Sequence, residues 1–341
     1  MYLNCVVELS MVLDNEKFHK LLTRVCKQAE YLNDNKYIDR TLSSKGIVVT
    51  YQDKQYKKKV QLTINSGVML DDGELDSDKL IHKLGRCVHD YFGSKYNLKD
   101  FNFKKMILIA DIDVSSREKV SAYIKVLQRI GKVKGFSPLN YDCLDDGIGF
   151  CLDGNSNGIQ FLIYDLKELL TGQVRKSGTN HKKLKPMMEN SEGILRVEVR
   201  LTELKTVRAY TNETDTSKQL AVLLENSRDI FLATFVRVVP FGAFHKKDTA
   251  IEIIQREVKD MTLRRRMLRL VALVPEKKSL LLAQKALNYR RIDDVMEIFA
   301  KINVSPITIS KRHDVKQLKC LYSYLDANND DKRQEENSLY L

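Results

Sequence analysis

The chain has 341 residues, 43% of them apolar, and a formal net charge of +12. That length accommodates two or three domains with at least one proper core, and the apolar share excludes a disordered or low-complexity chain. The positive charge favours a polyanionic partner, nucleic acid before an anionic membrane surface, while leaving open a basic protein with no such partner.

Five prolines and fifteen glycines are few for this length, which implies regular elements joined by short connections. The six cysteines (Cys5, Cys26, Cys87, Cys143, Cys151 and Cys320) form no C-x-x-C pair and lie mostly in apolar contexts. They read as reduced core thiols, not as a disulfide frame or a zinc site. Met1 runs directly into a strand-like segment with no N-terminal signal, and no apolar run reaches the about 18 residues of a membrane span. The expected location is the cytoplasm, with no membrane partner.

Leu3 to Leu13 is β-branched and apolar, a strand. Phe18, Leu21, Leu22 and Val25 recur at helical spacing, so a helix follows over Glu16 to Glu30. Gly46 to Tyr51 and Lys59 to Leu70 predict two strands about a turn at Asp53-Lys54. Asp76 caps a helix whose apolar face is Leu80, Ile81, Leu84, Val88 and Phe92. A strand over Lys105 to Val114 is followed by a capping-box pattern, Ser115-Ser-Arg-Glu, and a helix over Val120 to Ile130. Next come a hairpin-like pair, Ile148 to Leu152 and Ile159 to Tyr164, a short helix, a basic loop and the strand beginning near Ile194. This β-α-β-β-α-β order predicts an α+β unit of the ferredoxin-like kind over residues 1–212.

From Thr216 the pattern is helical only, with apolar stripes over Ser217–Val239, Asp248–Asp260, Leu263–Val274, Glu276–Asn288 and Ile292–Ile302. Ser305-Pro306 reads as an N-cap with proline at the first helical position, opening a last helix to Leu325. The spacing therefore predicts an all-helical domain over 213–325 and a mobile polar tail over 326–341. Ile292 to Ile302, Asn303-Val304-Ser305 and Pro306 onward also have the proportions of a helix-turn-helix, with Lys311 and Arg312 near the start of its second helix, where a recognition helix reads bases. The competing reading is an ordinary helical bundle, in which the same proportions occur. Arg264, Arg265, Arg266 and Arg269 mark one further helix as a candidate DNA contact.

The chemistry concentrates on three strands. Asp111 and Asp113, two apart, share a strand face, and Arg196, Glu198 and Arg200 share another. If these strands are neighbours, three carboxylates converge in a hard-oxygen site suited to Mg²⁺ or Mn²⁺. The competing reading is a cross-strand charge ladder on a solvated face. Tyr164 ends its strand just before a helix-like segment. Its phenol, with an unperturbed pKa of about 10, needs a nearby cation to act as a nucleophile. The competing fate is a strand-end tyrosine that packs its ring and wets its hydroxyl. Lys182 and Lys183 lie in the basic loop between the tyrosine and the glutamate strand, where they could clamp phosphates or simply be solvated.

Four segments in order resemble the rolling-circle replication initiators of Gram-positive plasmids, with the related mobile-element relaxases and filamentous-phage replication proteins. They are VQLTINSGVML from Val60, KKMILIADIDVSS from Lys104, GNSNGIQFLIYDLKEL from Gly154 and LRVEVRLT from Leu195. The resemblance covers about Val60 to Thr202. It implies a nicking-endonuclease-like fold in which Tyr164 is the nucleophile and Glu198, Asp113 and Asp111 hold a divalent metal (Mg or Mn). Arg196, Arg200 and Lys167 then contact phosphate. It further implies DNA, single-stranded or as a supercoiled origin, as the partner, with a helicase and a second copy of the chain beside it.

The sequence departs from the family pattern at several points. Ile107 to Ile109 occupy the stretch where Arg-x-Asp is usual, Leu166 stands where a basic residue follows the tyrosine, and Gln160 and Leu162 replace basic residues within its strand. No His-hydrophobic-His triplet occurs, which excludes the histidine-liganded branch. Three readings follow: a nicking initiator or relaxase, a non-catalytic DNA-binding protein on the same scaffold, and a basic regulatory or RNA-binding protein with a chance motif match.

Overall fold

In the computed structural model, residues 3–25, 28–32, 35–71, 75–139, 148–154, 157–177, 185, 187–289 and 291–325 are described. Lys182, Lys183 and the tail 326–341 lie outside the described residues.

The fold is α+β, built on one ten-stranded antiparallel sheet of order β2-β3-β4-β5-β1-β6-β10-β9-β8-β7. The strands are β1 Asn4–Leu13, β2 Glu30–Tyr31, β3 Lys36–Asp39, β4 Ile47–Lys54, β5 Lys57–Asn65 and β6 Asn102–Asp113. β7 Ser137–Leu139, β8 Gly149–Asp153, β9 Ile159–Asp165 and β10 Ile194–Leu201 complete it. With helices α1 Asn15–Val25 and α3 Ser77–Phe92, the series β1-α1-β4-β5-α3-β6 is the expected β-α-β-β-α-β unit. Its four strands lie in the order β4-β5-β1-β6. The short β2–β3 pair extends one edge. β7, β8 and β9 form a meander on the other side, and β10 inserts between β9 and β6.

Side-chain alternation divides the sheet into two faces. Leu195, Val197, Val199 and Leu201 of β10 and Met106, Leu108, Ala110 and Ile112 of β6 point into the main core. There they meet α1, α3, α4 (Arg117–Leu127), α6 (Leu204–Arg208), α7 (Thr216–Glu225) and α8 (Ser227–Val238). Arg196, Glu198 and Arg200 point the other way. On that far face the strand-following helix α5, Leu166–Ser177, lies over β9 and β10. Leu166 and Leu170 of α5 join Cys151, Leu162 and Tyr164 in a second, smaller cluster.

Several segments differ from expectation. The helix predicted over Glu16 to Glu30 ends at Val25, Glu30 belongs to β2, and β4 runs through Asp53 and Lys54, so the turn falls between Lys54 and Lys57. The strand predicted over Lys59 to Leu70 stops at Asn65. Asn65's side chain accepts the Val68 N–H at 3.3 Å and caps the four-residue helix α2, Ser66–Met69. The stripe Ser217–Val239 breaks at Asn226 into α7 and α8. Further on, α9 (Lys247–Glu257), α10 (Met261–Lys277), α11 (Leu280–Leu287) and α12 (Ile292–Lys301) form as helices.

The helix expected over Ser305 to Leu325 is absent, and with it the recognition helix of a helix-turn-helix. Ala243 bridges Val304 and Lys246 bridges Ile309, both parallel, and Phe244–His245 (β11) pairs with Gln317–Leu318 (β12). Ser305 keeps a capping role by accepting the Ile307 N–H at 3.2 Å. The β-branched run Ile307-Thr308-Ile309 is buried at 2% exposure or less, and Arg129 donates to the Thr308 carbonyl at 2.6 Å. Buried β-branched residues with extended partners override the local helix start. Among the described residues after Lys301, only the turn α13, Tyr322–Leu325, is helical. The second half therefore carries a two-stranded pair among its helices.

Candidate active site

β10 is flanked by β6 on one side and β9 on the other, and its register decides the site. Arg196 lies directly opposite Asp111 of β6 and Tyr164 of β9, so all three side chains emerge on the far face. Glu198, one step along that face, receives the phenol: the Tyr164 hydroxyl donates to Glu198 Oε1 at 2.5 Å. Arg200 donates to Glu198 Oε2 through Nε at 2.7 Å, and its Nη2 stands 2.6 Å from the same oxygen. Arg196 forks onto Asp111, Nε to Oδ1 at 2.6 Å and Nη2 to Oδ2 at 2.7 Å. Arg196 thus engages its carboxylate in the bidentate geometry at which guanidinium bonds are strongest, whereas Arg200 meets one oxygen of Glu198.

Burial grades across the cluster. Tyr164 is 3% exposed and Glu198 5%, whereas the Arg196 and Asp111 side chains keep 25% and 38% of their surface. The Asp111–Arg196 pair is the cluster's wet side. Asp165, next after the tyrosine, accepts the Glu168 N–H at 3.0 Å and starts α5. That junction folds the helix back so that Leu166 and Leu170 close over the phenol.

Burial pushes the Tyr164 phenol well above its ordinary value, and the adjoining Glu198 carboxylate adds to that shift. The guanidiniums of Arg196 and Arg200 act in the opposite direction. Burial also pulls at the Arg196 guanidinium, but the Asp111 bonds outweigh it and hold the group protonated.

The donor set does not fit a divalent ion. All four oxygens of Asp111 and Glu198 accept N–H or O–H groups, and Asp113 Oδ1 accepts the Ser115 N–H at 2.7 Å in a turn at the strand end. Even with water completing its shell, a hard cation takes one or two carboxylates, and here Asp111 and Glu198 are each held by a guanidinium. Two guanidiniums instead supply the positive charge, and among the described residues no three His, Cys, Asp or Glu side chains gather as a metal site. The expected convergence of Asp111, Asp113 and Glu198 is replaced by separate pairings. The cause is the alternation of arginine with glutamate on β10, which brings a cation to each carboxylate.

No protein-family model matches the chain, and no curated protein does. Among solved structures the chain is similar to a rolling circle replication initiator protein from Geobacillus stearothermophilus. The TM-score is 0.30 and the identity 11%, over 91% of this chain and 99% of that one. Likeness at that level fixes neither fold nor chemistry.

The remaining expected contacts scatter. Lys167 pairs with Glu192 at 2.7 Å. Arg264, Arg265 and Arg269 of α10 line a groove of about 620 Å³ with Gln255 and Leu268, whereas Arg266 turns away and stacks over the Tyr289 ring at 4.8 Å. Lys311 stands 3.8 Å from Asp248, and Arg312 sits in the irregular segment that replaces the expected helix. No helix among the described residues is long and apolar enough to cross a membrane.

One neighbour escaped the sequence reading. Lys105 of β6 is half-buried on the same face, and the Arg200 guanidinium, after burial itself, pulls its ammonium below the ordinary lysine value. Its even offset from Asp111 along one strand was the available signal.

Proposed function

We propose that this chain cleaves and transfers a DNA strand through Tyr164, in the manner of a replication initiator acting at an origin. The observation that carries this reading is the 2.5 Å hydrogen bond from the Tyr164 hydroxyl to Glu198, beside two guanidiniums. A phenol is a weak nucleophile until a base takes its proton, and Glu198 is in place to do so. In the step that follows, the phenolic proton passes to Glu198 and the tyrosine oxygen bonds to phosphorus. The P–O3′ bond breaks, and the freed 3′-oxygen takes the proton back from Glu198. The product is a 5′-phosphotyrosyl link, which conserves the phosphodiester for later joining. Arg196 and Arg200 offset the charge that builds on the phosphate. The net charge of +12 suits the polyanionic substrate.

The experiment is a covalent-trapping assay with labelled single-stranded and supercoiled DNA, run with Mn²⁺ and with chelator. Wild type is expected to give a detergent-resistant protein–DNA adduct that Tyr164→Phe does not form. Absence of the adduct under every condition sinks the enzymatic reading.

A second reading, a DNA-binding protein on this scaffold that does not cut, draws on the 3% exposure of Tyr164 beneath α5. It predicts salt-dependent DNA binding with no adduct.

A further inference from the structure

We propose that the guanidiniums of Arg196 and Arg200 take the place of a divalent cation beside Tyr164, so that this site engages a phosphodiester without metal. The cleavage part of this inference rests on the nucleolytic reading above; the binding part does not.

The argument is an accounting of charge and of oxygen atoms. Asp111 and Glu198 contribute two negative charges and Arg196 and Arg200 two positive ones, and the pairs are closed by hydrogen bonds of 2.6 to 2.7 Å. A divalent ion entering here would have to strip a guanidinium from each carboxylate and then sit beside both displaced cations. The cations also stand where a metal would act. Arg196 lies directly opposite Tyr164 across the β9–β10 ladder, and Arg200 is bound to the carboxylate that holds the phenol.

A guanidinium fork matches phosphate geometry as well as carboxylate geometry. The bond to Asp111 uses Nε and Nη2 of Arg196 and leaves Nη1 for a phosphate oxygen. That pair is on the wet side of the cluster, where a phosphodiester would arrive. Lys105 places a third cation on the same face.

The test separates metal binding from cleavage. Titration calorimetry of the metal-stripped full chain with MnCl₂ alone is expected to show no binding below millimolar concentration. A labelled single-stranded oligonucleotide is expected to bind the full chain with the same affinity, within about twofold, in chelator and in Mg²⁺. Arg196→Gln, chosen because the side chain is partly exposed and the fold tolerates its loss better than that of Arg200, is expected to weaken binding about tenfold in both. A Mn²⁺ isotherm that Glu198→Gln or Asp111→Asn abolishes overturns the proposal. So does oligonucleotide affinity that is lost in chelator, or that Arg196→Gln leaves unchanged. An adduct formed only with metal overturns it too. Metal-independent, Arg196-dependent binding with no adduct under any condition upholds it and sinks the nucleolytic reading alone.

Discussion

Gly149 of β8 lies directly opposite Tyr164 of β9, and a Cβ placed on it would fall 2.5 Å from the Tyr164 Cβ and against the Ile163 carbonyl. The tyrosine ring owes its position partly to the missing side chain across the ladder. Gly149→Ala is expected to push β8 and β9 apart, costing about 1–3 kcal/mol as overpacking does. Chemical denaturation measures the cost. The same variant is expected to lower adduct yield, and unchanged stability would mean that β8 moves freely.

The two acid–arginine pairs differ in burial, and their disruption is expected to differ accordingly. Glu198→Gln removes the charge that faces Arg200 where the two side chains are 6% and 10% exposed. Breaking such a pair costs about 3–5 kcal/mol. Asp111→Asn acts on a pair whose side chains are 25% and 38% exposed, where solvent screening holds the loss to about 1 kcal/mol or less. Urea midpoints of the two variants check the ranking. Equal losses would contradict the burial gradient described here.

His245 of β11 is 7% exposed, and burial holds its imidazole below the ordinary 6.5. Above about pH 6.5 the ring is neutral in both states and its contribution is complete. As pH falls below that value the unfolded chain takes up the proton first, so stability declines until the lower folded value is passed. Urea midpoints are expected to drop as pH falls through about 6.5 in wild type. His245→Asn should flatten part of that drop.

Arg264, Arg265 and Arg269 share one groove, while Arg266 is engaged with Tyr289. If the groove follows a DNA backbone, each arginine lost lowers the slope of log affinity against log salt by about 0.7 to 0.9. Fluorescence anisotropy over a salt series is expected to show this for Arg265→Ala and Arg269→Ala and not for Arg266→Ala. A uniform effect of all three would assign the charge to long-range attraction instead.

Much of the architecture was legible from periodicity. The β-α-β-β-α-β series appears in the sequence because each strand alternates with period two and each helix carries its own apolar stripe. Asp76 announces a helix start that forms as read, accepting the Lys79 N–H at 2.9 Å, whereas the Ser115-Ser-Arg-Glu signal starts its helix with Ser116 as the cap, accepting the Lys119 N–H at 3.3 Å. Ser305-Pro306 carries the same local signal and fails. Its follow-on residues Ile307 and Ile309 are buried against Ala243 to Lys246, a segment some sixty residues earlier in the chain. Local pattern cannot register a partner at that distance.

The candidate site divides in the same way. Tyr164 at a strand end and Arg196, Glu198 and Arg200 on one strand face follow from local spacing, since alternate residues must share a side. Nothing local says that β10 enters between β6 and β9, or in which register. A slip of one residue would turn Glu198 into the core and leave Tyr164 facing a valine. The observed register sets Arg196 across from Asp111 and Tyr164 and puts Glu198 within reach of the phenol. Residue order thus supplied the acids, the bases and the tyrosine. Long-range strand pairing chose which carboxylate each arginine neutralises, because only hydrogen-bonded neighbours bring side chains from distant segments within bonding distance.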